Sequence, residues 1–179
     1  MAHIADAVAK SRAEPFIRHL AVEHGIVDYP PLWTLMEVIP FGTLATYCQG
    51  LPPAVQRQVA NSFSLTPSVF VGFLMALRRT RNVCAHHARL WNRRFGSMMS
   101  RKIGQSPTVA ALDECFKTSM MSGFDSVFDI LSVVRHMVKI VDPQSSWLLE
   151  SQHFVATAAP FVLSAMGFPA DWQKLALWQ

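Results

Sequence analysis

The sequence has no acidic residue between Val38 and Leu112, although this stretch contains nine lysine and arginine side chains. Eight of these nine, half of the 16 cations in the chain, lie close together: Arg78, Arg79, Arg81, Arg89, Arg93, Arg94, Arg101 and Lys102. Basic side chains without acidic neighbours attract an external polyanion. The stretch therefore predicts a binding surface for a polyanionic partner.

Cysteine is also scarce, since only Cys48, Cys84 and Cys115 occur in 179 residues. An odd number of cysteines at long spacings predicts neither a disulfide framework nor a zinc site. Each lies in or beside an apolar segment, so we expect reduced, buried thiols. The first thirty residues contain seven charged side chains, which a secretory signal peptide would not tolerate. We therefore expect a cytoplasmic protein.

Runs of alternating apolar and polar residues, the pattern of β-strands, are missing from the sequence, and so are internal repeats. Apolar residues instead recur at three- and four-residue spacing, most regularly from Val127 to Val141. Thr66-Pro67 and Ser106-Pro107 each combine a capping hydroxyl with a proline, which is typical of helix starts. The sequence predicts an all-α helical bundle that forms a single domain over residues 1–179.

Charged residues are absent from Ser151 to Ala170, which raises the question of a membrane span. A membrane-spanning helix needs about 20 predominantly apolar residues. Pro160, Gly167 and several polar side chains interrupt this stretch. We therefore expect a buried bundle helix here and no association with a membrane.

One long helix is predicted to begin at Thr66-Pro67 and to run without a break through Arg78 to Trp91. On such a helix five polar side chains form one narrow stripe: Arg78, Asn82, His86, Arg89 and Arg93. Arg81 lies at the flank of this stripe. Apolar side chains form the opposite, core-facing surface: Phe70, Phe73, Leu77, Cys84, Ala88, Trp91 and Phe95.

The two adjacent histidines of this helix have different expected roles. His86 and His87 point about 100° apart on a helix, so they cannot hold one metal ion together, and we predict no metal site. His86 belongs to the polar stripe, where it is either a solvated surface side chain or a functional group. His87 lies nearer the edge of the core, which favours a packing or hydrogen-bonding role over catalysis.

Arg81 and Asn82 could also have purely structural roles. Arg81 could pair with an acid across the bundle, such as Asp125 or Asp129. Asn82 could satisfy the polar groups at the end of a neighbouring helix.

The segment RNVCAHHARLWNR, from Arg81 to Arg93, resembles the Arg-x4-His signature of the HEPN superfamily, and specifically that of the Abi-like proteins of bacterial abortive phage infection. PPLWTLMEVIPFGTLATYC, from Pro30 to Cys48, and MGFPADWQKLALW, from Met166 to Trp178, look like the other two sequence blocks of this family and occur in the same order. Only about thirty residues precede the first block. We therefore expect a short form that lacks an N-terminal part found in longer relatives.

The resemblance implies a helical bundle of HEPN type and a metal-independent endoribonuclease of phage-defence or toxin type, without a cofactor. It places Arg81 and His86 of two subunits at the interface of a homodimer whose motif helices face each other. His86 would take the proton of a ribose 2′-hydroxyl, which an imidazole can do near neutral pH. Arg81 would stabilise charge on the attacked phosphate, and Asn82 would orient the phosphate or the imidazole. The other cations of the cluster are the expected RNA contacts: Arg78, Arg89, Arg93, Arg94, Arg101 and Lys102.

Two other functions are compatible with the sequence. A non-catalytic RNA-binding or adaptor module could use the same basic surface, and it would hold RNA intact with a steep dependence on salt. A scaffolding protein could bind partners through exposed apolar surface, since 51% of the residues are hydrophobic. Its function would tolerate charge reversal in the polar stripe.

Overall fold

The computed structural model describes residues 2–25, 30–95, 107–121 and 126–179. Within these ranges the chain forms ten α-helices and one short 3-10 helix, and it contains no β-strand. The predicted all-α class is therefore confirmed. The helices fall into two compact units, Met1–Leu51 and Pro52–Gln179. The single domain over residues 1–179 stays a prediction.

The first unit contains α1 (Ala2–Lys10), α2 (Pro15–His24), α3 (Leu32–Val38) and α4 (Phe41–Gln49). Pro15 begins α2, because a proline in the first turn of a helix has no N–H hydrogen bond to lose. Gly25 ends α2 with a left-handed φ of 65°, the backbone conformation that glycine adopts most easily. Helix α1 packs against α3 within this unit.

The second unit contains α5 (Pro53–Ser62), α6 (Pro67–Ala85), α7 (Pro107–Thr118), α8 (Val127–Val141), α9 (Ser146–Ala156), α10 (Pro160–Ala165) and a 3-10 helix at Trp172–Lys174. Helix α8 is central, because α6, α7 and α9 all pack against it. Ser126 and Asp129 cap its start reciprocally, since each side chain binds the backbone N–H group of the other over 3.0–3.1 Å. Helix α8 spans Val127–Val141, the same residues over which the regular apolar spacing predicted a helix.

Aromatic side chains of the C-terminal segment pack onto α8. The ring centroids of Phe128, Phe168, Trp172 and Trp178 lie 4.9–5.8 Å apart in five contacting pairs, within the range at which aromatic pairs stabilise a core. The indole N–H group of Trp178 donates to Ser132 Oγ over 3.2 Å. The segment from Met166 to Trp178 is thus part of the core of the second unit.

A buried arginine, Arg135, ties this cluster to α9. Its guanidinium lies 4.6 Å from the ring centroid of Trp178. It donates to the Leu177 carbonyl over 3.1 Å, to Ser151 Oγ over 2.9 Å, and to the carbonyl of Leu148. Burial lowers the pKa of Arg135 from its ordinary value, because the charged form loses hydration. Arg135 is therefore a structural cation, held inside the second unit and separate from the basic cluster.

No single helix among the described residues is both long and apolar enough to cross a membrane. Helices α5 and α6 meet that requirement together, by length and composition only, and they are bent by 73° at the break between them.

Candidate nucleic-acid interface

Helix α6 carries the residues that the sequence marks as functional. It begins after Thr66 and buries one apolar face, formed by Val69, Phe70, Phe73, Leu74 and Ala76. Arg81 and Asn82 lie on its exposed side, and Arg78 is half-buried. Because the apolar face is fixed in the core, the polar side chains of the last two turns are held towards solvent.

The helix ends at Ala85, so the predicted continuous helix from Arg78 to Trp91 is wrong. His87 adopts a left-handed φ of 51°. Its N–H group donates to the Cys84 carbonyl over 3.0 Å, and the Ala88 N–H group donates to the Val83 carbonyl over 3.0 Å. These two hydrogen bonds form a left-handed helix cap, a common way of ending a helix, although glycine usually occupies the position of His87.

Beyond the cap, residues 88–95 form a segment that turns back beside α6, which we call the return segment. The Arg79 guanidinium donates to the Phe95 carbonyl, and the Phe95 side chain is buried. On a continuous helix these two residues would lie about 24 Å apart along the axis, at 1.5 Å per residue. A turn at Asn92, with a φ of 50° and a hydrogen bond of 3.2 Å from Arg93 N–H to the Leu90 carbonyl, helps the chain to reverse.

The reversal changes several predicted positions. Arg89 and Arg93 belong to the return segment, so the predicted polar stripe follows α6 only as far as Asn82, with His86 at the cap. Phe70, Phe73 and Phe95 are buried as predicted. Other side chains that were expected in the core are exposed instead: Cys84, Ala88 and Trp91.

His87 and the cysteines also differ from expectation. His87 is exposed and occupies the cap, so the expected packing role is wrong. Of the three thiols that were expected to be buried, only Cys115 is, whereas Cys48 is half-buried and Cys84 is exposed. Cys84 lies in the last turn of α6, and the buried residues of this helix extend only as far as Ala76.

The structure places Arg81, Asn82 and His86 together at the C-terminal end of α6, and all three are exposed. The His86 N–H group donates to the Asn82 carbonyl over 3.1 Å, and their side chains point about 40° apart around the helix axis. Arg81 and His86 point roughly 140° apart, because five residues correspond to about 500° of rotation. One chain therefore presents an Asn–His pair on one side and the arginine on another.

Within the described part of the chain, the side chains of Arg81, Asn82 and His86 form no hydrogen bond or ion pair. Asp129, one acid considered for Arg81, is fully buried in the capping box of α8, whereas Arg81 is exposed. Asp125, the other acid considered, lies outside the described residues. Among the described residues, therefore, nothing pairs with the three exposed side chains at the end of α6.

The other predicted RNA contacts have separate positions. The Arg89 guanidinium lies 5.6 Å from the ring centroid of Trp91. Arg93 donates to the Arg89 carbonyl over 3.4 Å, and Arg94 is exposed. Arg101 and Lys102 lie outside the described residues. The return segment thus adds three arginines to those of α6 without any acidic residue in the same stretch of sequence.

An apolar groove of about 650 Å³ adjoins the return segment, and sequence analysis gave no signal for it. Leu90 forms part of its lining together with Val127, Leu131, Trp147, Phe154 and Met166. Leu90 is half-buried, so the return segment lies at the edge of this groove. Only the fold could reveal the groove, because its lining comes from four separate parts of the second unit.

Other titratable groups lie in the core of the second unit. Burial raises the pKa of the Cys115 thiol to about 12. Burial also lowers the pKa of His136, whose Nε2 lies 3.1 Å from the Phe63 carbonyl. No group of three or more histidine, cysteine, aspartate or glutamate side chains among the described residues could hold a metal ion. That the protein needs no metal stays a prediction.

A family model described as Abi-like protein matches residues 1–92, which is slightly more than half of the 179 residues. The match includes the Pro30 to Cys48 block, the whole of α6 and the segment from Arg81 to His86. No curated protein and no solved structure matches the chain.

Proposed function

Because the chain belongs to the Abi-like protein family, we propose that it acts in abortive phage infection as a metal-independent endoribonuclease of HEPN type. The observation that carries this proposal is the joint exposure of Arg81, Asn82 and His86 at the end of α6. Among the described residues neither Arg81 nor His86 has a side-chain partner, and an arginine and a histidine exposed beside further arginines provide the groups that cleavage of a phosphodiester needs.

The chemistry starts at the ribose 2′-hydroxyl of RNA. His86 takes the hydroxyl proton as a general base, and the resulting oxyanion attacks the adjacent phosphorus. Arg81 donates hydrogen bonds to the phosphate oxygens, on which negative charge grows in the transition state. Asn82, which points to nearly the same side as His86, orients the imidazole or the phosphate. The products are a 2′,3′-cyclic phosphate and a fragment with a 5′-hydroxyl group.

A site composed of two chains completes this reaction. Arg81 and His86 diverge by roughly 140° around α6, so one chain does not readily direct both at one phosphate. A two-fold axis near the end of α6 would bring the arginine of one subunit to the histidine of the other. The second His86 would then supply the proton that the leaving 5′-oxygen requires. We therefore propose a homodimer in which the ends of the two α6 helices face each other.

The proposal is tested by incubating the purified protein with defined tRNA and mRNA substrates in EDTA. Cleavage products with 2′,3′-cyclic phosphate and 5′-hydroxyl ends are expected, and DNA of the same sequence should stay intact because it lacks the 2′-hydroxyl. Cleavage that requires Mg²⁺ or that leaves 5′-phosphate ends would contradict the mechanism. RNA that is bound but never cleaved would favour a non-catalytic adaptor.

A further inference from the structure

Trp91 is an exposed indole within a cluster of arginines. The spacing of apolar residues along the predicted helix placed Trp91 in the core. Trp91 is instead 38% exposed, because α6 ends before this residue and the return segment reverses. Exposure of a large aromatic ring has an energetic cost that burial would remove. This cost is offset if the ring binds a flat, apolar ligand.

Neighbouring residues hold Trp91 in place. Leu90 is half-buried and lines the apolar groove, and Phe95 is buried at the far end of the return segment. The hydrogen bond from Arg79 to the Phe95 carbonyl fixes that end to α6. Since Leu90 is half-buried on one side of Trp91 and Phe95 is buried on the other, binding a ligand to the ring requires little additional ordering of the chain.

The charges around Trp91 indicate the class of ligand. The Arg89 guanidinium lies 5.6 Å from the ring centroid, a distance at which cation and ring attract each other. Arg93 is exposed two residues further along. An aromatic ring flanked by arginines is the arrangement with which proteins bind single-stranded nucleic acid: the ring stacks on a base, and the guanidinium groups bind the phosphates.

We propose that Trp91 is a stacking platform for one unpaired base of single-stranded RNA, with Arg89 and Arg93 binding the phosphates beside that base. This inference rests on the proposed function, because it takes RNA as the ligand. Trp91 follows His86 by five residues, so the platform positions the RNA strand near the end of α6. A base that is stacked within a duplex is not available to the indole, and single-stranded RNA is therefore the preferred form.

The test measures the affinity of the full-length protein for a short single-stranded oligonucleotide of 2′-O-methyl RNA, which cannot be cleaved through its 2′-position. A second oligonucleotide has the same backbone with abasic positions in its centre. The protein variants are Trp91→Ala, Trp91→Phe and, as a matched control, Trp33→Ala, which removes an indole that is 74% exposed in the first unit.

Loss of the Trp91 ring should weaken binding to the intact oligonucleotide by roughly 5- to 150-fold, the usual effect of removing one base–aromatic stack. Trp91→Phe should retain most of the affinity, and Trp33→Ala should bind as the wild type does. On the abasic oligonucleotide the wild type and Trp91→Ala should bind almost equally, because no base is left to stack.

Three results would overturn the inference while leaving the proposed function in place. These are equal affinity of the wild type and Trp91→Ala for the intact oligonucleotide, the same loss in Trp33→Ala, and a loss in Trp91→Ala that is accompanied by dissociation of a dimer in sedimentation. The last result would identify Trp91 as a subunit contact. A wild type that binds no single-stranded RNA even at low salt would instead contradict the proposed function, and with it this inference.

Discussion

Two residues with a left-handed backbone, Ser64 and His87, end the helices α5 and α6. At each of them the same pair of backbone hydrogen bonds closes the helix. Left-handed φ costs an ordinary residue roughly 1 kcal/mol or more, whereas glycine adopts it freely. The conformation at His87 is therefore stabilised by the hydrogen bonds of the cap, such as that from its N–H group to the Cys84 carbonyl, and not by the preference of histidine itself.

Replacing these residues by glycine should stabilise the protein. We expect His87→Gly and Ser64→Gly each to raise the free energy of unfolding by about 0.5–1 kcal/mol, because the left-handed strain is removed at the cap. Urea denaturation measures the change. His87→Gly should also leave RNA cleavage close to the wild-type rate, since His86 is untouched. Lower stability in both variants would contradict this account of the two caps.

Buried His136 should make stability depend on pH. Burial lowers its folded-state pKa, so the unfolded chain binds more protons than the folded chain does as the pH falls below about 6.5, the ordinary value for histidine. The protein is therefore most stable with respect to His136 above that pH. As the pH falls further, His136 lowers the free energy of unfolding by at most about 1.4 kcal/mol per pH unit. Urea denaturation at pH 7.5 and at pH 5.5 should show a smaller difference for His136→Gln than for the wild type.

The approach of Gly167 to Ser126 joins the end of α10 to the start of α8. Gly167 has a φ of 91°, and a Cβ atom there would lie 2.6 Å from both Cβ and Oγ of Ser126. Ser126 is fully buried and caps α8, so it has little room to move. The central helix of the second unit therefore depends on a glycine at this position.

Three glycine substitutions separate strain from steric overlap. Gly167→Ala should lower the free energy of unfolding by about 2–4 kcal/mol, through left-handed strain together with overpacking. Gly25→Ala should lose only about 1 kcal/mol, because its φ is 65° and, apart from its chain neighbours, no atom of the described residues lies within 4 Å of the added Cβ. Gly50→Ala should be nearly neutral, since the added Cβ makes only ordinary contacts of 3.7 Å. Equal losses in the three variants would contradict this reasoning.

Sequence periodicity predicted some helices correctly and failed at one important end. The apolar spacing from Val127 to Val141 predicted α8, because this signal is local. The end of α6 at Ala85 had no local signal, since neither glycine nor proline occurs near it. It depends on contacts between distant residues, such as Arg79 with the Phe95 carbonyl. Arg81, Asn82 and His86 were proposed from a local sequence motif and stay a prediction, whereas the exposure of Trp91 depends on where α6 ends and had no local signal.

The whole protein should be a homodimer when it is active. Since Arg81 and His86 diverge around α6, the proposed site needs both subunits, and the specific cleavage activity should fall when the protein is diluted below its dimerisation constant. Sedimentation over the same concentrations should show dimers changing to monomers in parallel. A monomer whose specific activity does not change with concentration would contradict the composite site.

The most direct test of the account compares single-turnover cleavage of RNA in EDTA by the wild type, His86→Ala and Arg81→Ala. Both variants should cleave roughly 10²- to 10⁴-fold more slowly, because one lacks the general base and the other lacks the group that stabilises the phosphate charge. RNA affinity should be largely retained in His86→Ala, since the arginines at 78, 89, 93 and 94 still attract the backbone. Cleavage by His86→Ala at the wild-type rate would contradict the central claim.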